Sequence, residues 1–216
     1  MVKDDCFVLL RFPVGDFSLL AKCYCRKFGR KNFLIPEYFA VDRKINLIGF
    51  FEPFNLLRVD FKEKNGSAVV EDASLIFSPT GEIIKNLERY FFLSKVSKTV
   101  LKFVKVPDEE IFELLKESLS IEDFFNFNLI RFWLNLSSLL GFSLKNLSRP
   151  GWVNLLTLKK CNPEELKNPY CVYISPREFY LIRRVLDSKV APFRISNNDT
   201  KRLEDFFFKF LSHQSN

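Results

Sequence analysis

The chain has 216 residues, 47% of them hydrophobic, with 33 basic side chains against 26 acidic ones and a net charge of +7. That length suits one large domain or two small ones, and the apolar content is ample for a core. One histidine, five cysteines and seven singly scattered glycines leave little material for a triad, a four-ligand metal site or a phosphate-cradling loop.

The charge is uneven. Residues 1–66 carry a net of +4, residues 67–144 a net of −3 and residues 145–216 a net of +6. A basic first third and a basic tail point to polyanion-facing surfaces at both ends. The start, Met1 to Asp5, lacks the apolar stretch of a signal peptide, and no run of about 18 apolar residues follows. The expectation is a cytoplasmic chain without a membrane segment, in which Cys6, Cys23, Cys25, Cys161 and Cys171 are reduced thiols.

Up to Phe77 the pattern is strand-like, with candidate strands at Cys6–Phe12, Phe17–Phe28, Lys31–Pro36, Phe51–Phe61 and Ser67–Leu75. Asn65-Gly66 is a turn signal before the last of them. Five short strands in this span fit a small closed barrel such as the OB-fold, which often binds single strands. In the second strand Phe17, Leu19, Ala21, Cys23 and Cys25 line one face, while Ser18, Leu20, Lys22, Tyr24 and Arg26 line the other. Lys22, Arg26, Lys27, Arg30 and Lys31 crowd around Gly29 with no acid between Phe17 and Pro36. Either the cations pair phosphates while a base stacks on Tyr24, or this is a solvated face with a partly packed tyrosine.

Ser78-Pro79-Thr80-Gly81 breaks the pattern and sets a domain boundary: an OB-fold domain over 1–78 and a helical domain over 82–216, an α+β chain. Helical periodicity then covers Glu82–Val104, Asp108–Leu119, Glu122–Leu140, Pro176–Asp187 and Asp199–Leu211. The acids Asp108-Glu109-Glu110 and Glu122-Asp123 read as helix starts. The Glu122–Leu140 helix is apolar except for a stripe of Asn128, Arg131, Asn135 and Ser138, which makes it the buried spine of the helical domain. Between Phe142 and Ser175 only a strand at Trp152–Leu158 is indicated. His213 near the chain end is a poor general base, so the reading is a protein without catalytic residues, metal or cofactor.

Several segments resemble the RecO family of bacterial recombination-repair proteins, in shared order and spacing. Gly15-Asp16-Phe17-Ser18-Leu19-Leu20 looks like the family's opening of the second strand, and Arg26-Lys27-Phe28-Gly29-Arg30 its Thr-x-x-x-Gly-Lys/Arg turn. Phe50-Phe51-Glu52-Pro53-Phe54 is similar to Leu-Gln/Glu-Pro-Phe, and Glu71-Asp72-Ala73-Ser74-Leu75 to a Glu-Ala-Glu strand. Ile111 to Leu115 resembles a Leu-Phe-x-Leu-Leu helix. Arg131-Phe132-Trp133-Leu134 through Leu139-Leu140-Gly141-Phe142 resembles Arg-Phe-Glu…Leu-Leu-Gly-Tyr. There are departures. Many members carry Cys-x-x-Cys pairs around a zinc in the region matching 143–175, where this chain has only Cys161 and Cys171; zinc-free members exist as well. Pro36-Glu37 replaces a basic turn, for which Arg43 and Lys44 compensate.

The resemblance implies a non-catalytic recombination mediator, cytoplasmic and nucleoid-associated. It would bind single- and double-stranded DNA, anneal complementary strands, work with RecR and, indirectly, load RecA. The DNA-binding set is then Lys22, Tyr24, Arg26, Lys27, Arg30, Lys31, Arg43 and Lys44. The resemblance also implies a dock for the C-terminal tail of single-stranded DNA-binding protein, SSB. Arg131, bordered by Phe127 and Leu134, would receive the tail's carboxylate, unless Arg131 merely solvates its stripe or caps a carboxylate such as Glu88. The alternative is an OB-domain RNA-binding or assembly protein whose helical domain is a protein dock.

Overall fold

The alternating segment folds into β1 (Val2–Val14), β2 (Ser18–Cys25), β3 (Gly29–Ile35), β4 (Leu56–Lys64) and β5 (Ser67–Phe77). These strands close into a barrel in the order β1-β2-β3-β5-β4. The structure is a computed structural model that describes residues 2–15, 18–36, 47, 49–64, 67–187 and 189–214. Strands β1, β2 and β3 form an antiparallel meander, β4 lies antiparallel to both β1 and β5, and β5 meets β3 in parallel. An N-terminal OB-fold barrel followed by helices is the α+β architecture expected from the sequence.

The inner faces follow the predicted alternation. Leu19, Ala21, Cys23 and Cys25 of β2 join Phe33, Ile35, Leu57, Val59 and Phe61 in one buried cluster. Phe33 and Phe61 meet edge to face with centroids 5.0 Å apart, each such ring contributing about 1.5–3 kcal/mol of burial. β1 begins earlier than expected because its first residues are charged. Asp4 is nonetheless buried, its carboxylate accepting hydrogen bonds from the backbone N–H of Asp5 and of Lys27, both at 2.9 Å. Burial still holds the Asp4 carboxyl above its ordinary value.

Three helices follow: α1 (Thr80–Lys85), α2 (Leu87–Phe103) and α3 (Glu109–Leu119). The span read as one helix from Glu82 breaks at Asn86, which is extended and caps α2 by accepting from the N–H of Arg89. Asp108 caps α3 in the same way, through the N–H of Ile111. By compactness the chain divides into Met1–Ser120 and Ile121–Asn216. The break at 78–82 therefore marks where strands give way to helices, while α1 to α3 belong with the barrel in one unit.

The second unit holds α4 (Phe125–Leu139), β6 (Gly151–Asn154), β7 (Cys171–Ile174), α5 (Pro176–Leu186) and α6 (Asn197–Gln214). Helix α4 starts three residues later than Glu122 because Phe124 takes a left-handed conformation, φ 46°. Its Ile130, Trp133 and Leu136 are fully buried, with Trp133 against Phe207 of α6 at 5.4 Å, so α4 is the spine its composition predicts. The region 143–175 contains an antiparallel β6–β7 pair; the strand expected at Trp152–Leu158 ends at Asn154, where the chain turns, and the second strand has no counterpart in the sequence reading. The expectation of reduced thiols is corrected at four positions: Cys6 is bonded to Cys25 and Cys161 to Cys171, leaving Cys23 free and buried. Among the described residues no helix is long and apolar enough to cross a membrane.

Candidate nucleic-acid interface

The turn between β2 and β3, Arg26 to Phe28, is where the sequence places its cations, and the structure uses it for a different contact. Gly29 sits at φ +65°, and a Cβ built there would fall 2.5 Å from the backbone N of Pro107 and 2.6 Å from Lys105 O. The hairpin is pressed against the loop joining α2 to α3, and the N–H of Arg30 donates to the carbonyl of Lys105 at 3.0 Å. Glycine is required here because only a residue without a side chain permits both the left-handed turn and the backbone approach.

That docking removes several residues from the expected DNA-binding set. Tyr24 faces outward from the barrel, as alternation requires, yet it is wholly buried, its hydroxyl donating to the carbonyl of Val106 at 3.0 Å. It cannot serve as a stacking platform. Burial pushes its phenol up to about 12. Arg26 lies over the Phe112 ring at 4.6 Å and pairs with Glu109 and Glu113 of α3. The Arg30 guanidinium donates to the carbonyl of Leu101 at 2.5 Å. Lys31 pairs with Glu63 beside the rings of Phe28 and Phe61. Lys27 is exposed, whereas Arg43 and Lys44 lie outside the described residues.

What remains open is the outer face of β1, β2 and β3 beyond this turn. Strict alternation from Cys6 would turn Leu10 and Phe12 inward, but the register shifts between Val8 and Leu10. The bulge turns them out, 42% and 37% exposed. Cross-strand pairing then builds the rows Leu10–Lys22–Asn32 and Phe12–Leu20–Leu34. The Lys22 ammonium stands 5.7 Å from the centroid of the Phe12 ring. These rows hold one cation, one exposed aromatic ring and one amide, and no carboxylate. Such a surface attracts a phosphate and offers a ring and aliphatic walls to a base. Sequence reasoning finds Lys22 and misses Phe12 and Asn32, because only the bulge and the register bring them to its side.

In the second unit Arg131 is exposed on the polar stripe of α4, with no ion pair among the described residues, but Phe127 and Leu134 are 3% and 4% exposed. Phe127 packs on Phe193 at 5.3 Å. The apolar walls expected beside Arg131 are thus spent on the core of this unit, and only the guanidinium is available to a partner.

Burial holds the Cys23 thiol far above its ordinary value, which keeps it unreactive. Asp4, Cys6 and Cys25 bring ligand-type atoms within 4.8 Å of one another, but the two sulfurs are bonded together, which leaves a single carboxylate. No family model matches the chain. A protein of Aquifex aeolicus (strain VF5), described as uncharacterized, is 33% identical over 146 residues. The match covers 65% of this chain, and the chain spans 65% of that relative's length.

Proposed function

We propose that this chain is a non-catalytic mediator of DNA recombination and repair that binds single- and double-stranded DNA and anneals complementary strands. The observation that carries the reading is the pair of rows on the OB-fold barrel in which Lys22 stands beside Phe12, flanked by Leu10, Leu20 and Asn32, with no carboxylate among the described residues of those rows. Annealing needs no catalytic side chain: a cationic surface that screens two phosphate backbones lowers their repulsion. RecR, the tail of single-stranded DNA-binding protein and, indirectly, RecA are the partners of this reading, with Arg131 as the exposed cation on α4 for the tail's carboxylate.

The test is binding of labelled single-stranded DNA by anisotropy over a range of salt, with strand annealing measured with and without SSB. Lys22→Glu is expected to weaken binding more than tenfold, and Lys22→Ala to reduce the salt slope by about 0.7. Arg26→Ala is expected to leave the slope alone, since its partners are Glu109 and Glu113. A slope that falls with Arg26→Ala and not with Lys22→Ala would move the DNA path back to the turn. Absence of binding at low salt would end the proposal.

A further inference from the structure

The small module around β6 and β7 carries a second surface with the same chemistry. Trp152 and Tyr173 are direct cross-strand partners whose rings meet at 5.7 Å, and both stand in solvent, 42% and 53% exposed. Their neighbours Val153 and Ile174 point the other way and are buried, so the module has a core side and an aromatic side. Large rings that could be buried and are not, set side by side, are unusual on a soluble surface.

Beside Trp152 lies a cavity of about 240 Å³ whose lining includes Arg149, Lys160 and Ser148 and no carboxylate. The platform is held rigid. The Cys161 N–H donates to the Trp152 carbonyl at 3.0 Å, and Cys161 is bonded to Cys171 in the partner strand. An indole that lines a cationic, acid-free hollow, with a phenol beside it, matches a nucleobase followed by its phosphate. A peptide dock would suit an acidic aromatic segment, but two exposed rings set side by side favour flat stacking partners.

We infer that Trp152 and Tyr173 form a stacking platform for single-stranded nucleic acid, with Arg149 and Lys160 taking the adjacent phosphates. The site lies in the second compact unit and does not depend on the barrel face. Bases stack on the two rings, and the two cations make the binding salt-sensitive. Preorganisation by the Cys161–Cys171 bond limits the ordering cost.

Intrinsic fluorescence reads this site directly. The chain has two tryptophans, and Trp133 is fully buried, so stacking on Trp152 is reported by loss of the exposed emission. The full chain is titrated with short oligothymidylate and, separately, oligouridylate, which distinguishes DNA from RNA as the source. Saturable quenching by at least one is expected, weakened by salt and retained in Lys22→Glu. Trp152→Phe abolishes the signal, and Tyr173→Ala shifts the titration midpoint about tenfold. Arg149→Ala with Lys160→Ala reduces the salt dependence of the quenching. Anisotropy binding without quenching would overturn the inference and leave the barrel reading standing. Quenching insensitive to Arg149 and Lys160, or produced only by an acidic aromatic peptide, would overturn it too. Near-ultraviolet circular dichroism of Tyr173→Ala separates loss of stacking from loss of the fold.

Discussion

Replacing Gly29 by alanine asks whether the turn between β2 and β3 is a folding contact or a ligand contact. Alanine at φ +65° costs about 1 kcal/mol in conformational strain. Its methyl group would also lie 2.5–2.6 Å from three backbone atoms of residues 105 to 107, which no side-chain rotation relieves. The loop must withdraw, releasing the Arg30–Lys105 backbone bond and the Tyr24–Val106 bond, both 3.0 Å, at about 1 kcal/mol each. The total is about 3 kcal/mol. With a urea slope of about 2 kcal/mol/M, the unfolding midpoint falls by about 1.5 M. Gly15 supplies the control, since it has nearly the same φ, +62°, and a methyl group there would meet nothing within 4 Å. Gly15→Ala should cost only the strain, about 1 kcal/mol. Equal shifts in the two variants, or lost DNA affinity with unchanged stability in Gly29→Ala, would refute the docking account.

Three further outcomes are expected. The Tyr24 phenol is neutral in the fold up to about 12 because it is buried, so its contribution is intact below its unfolded value of about 10 and is lost as pH rises from there to 12. Tyr24→Phe should flatten that alkaline loss in a pH series of urea midpoints. Asp199 is buried, which opposes its ionisation, but Ser196 donates to it at 2.6 Å and Arg177 pairs with it, and the balance holds its carboxyl below the ordinary value. Its stabilisation is present above the unfolded value of about 4 and lost as pH falls through the lower folded one, and Asp199→Asn should remove that acid limb. Thiol titration in denaturant without reductant should find one reactive cysteine, Cys23, and five after reduction.

The barrel was legible because its strands carry a strict period of two, and the helices because theirs is 3.6. Parity correctly put Tyr24 outside the barrel, but it cannot say what covers a face. The covering groups, Val106 and Asp108, are more than 80 residues further along the chain. The bulge before Leu10 has no signature in a run as uniform as Val8-Leu9-Leu10, so Phe12 stayed hidden in the apparent core. β7 spans only four residues, too few for alternation to register.

The barrel closes along an unequal pair of edges. β5 is matched to β4 from Ser67 to Phe77, whereas its other side meets β3 only through Ala68 and Val69. From Val70 to Phe77 that side has no strand beside it among the described residues, and Leu75, Ile76 and Phe77 there are exposed. A bare apolar edge is a template on which another molecule's strand can add. Glu71 and Asp72 lie at the start of this stretch, both exposed, with Glu71 paired to Lys62 and the Asp72 carboxylate accepting from the Ala73 N–H at 2.9 Å. Another strand adding along the seam would have to desolvate these carboxylates, and charge of this kind on an edge discourages edge-to-edge pairing without closing it.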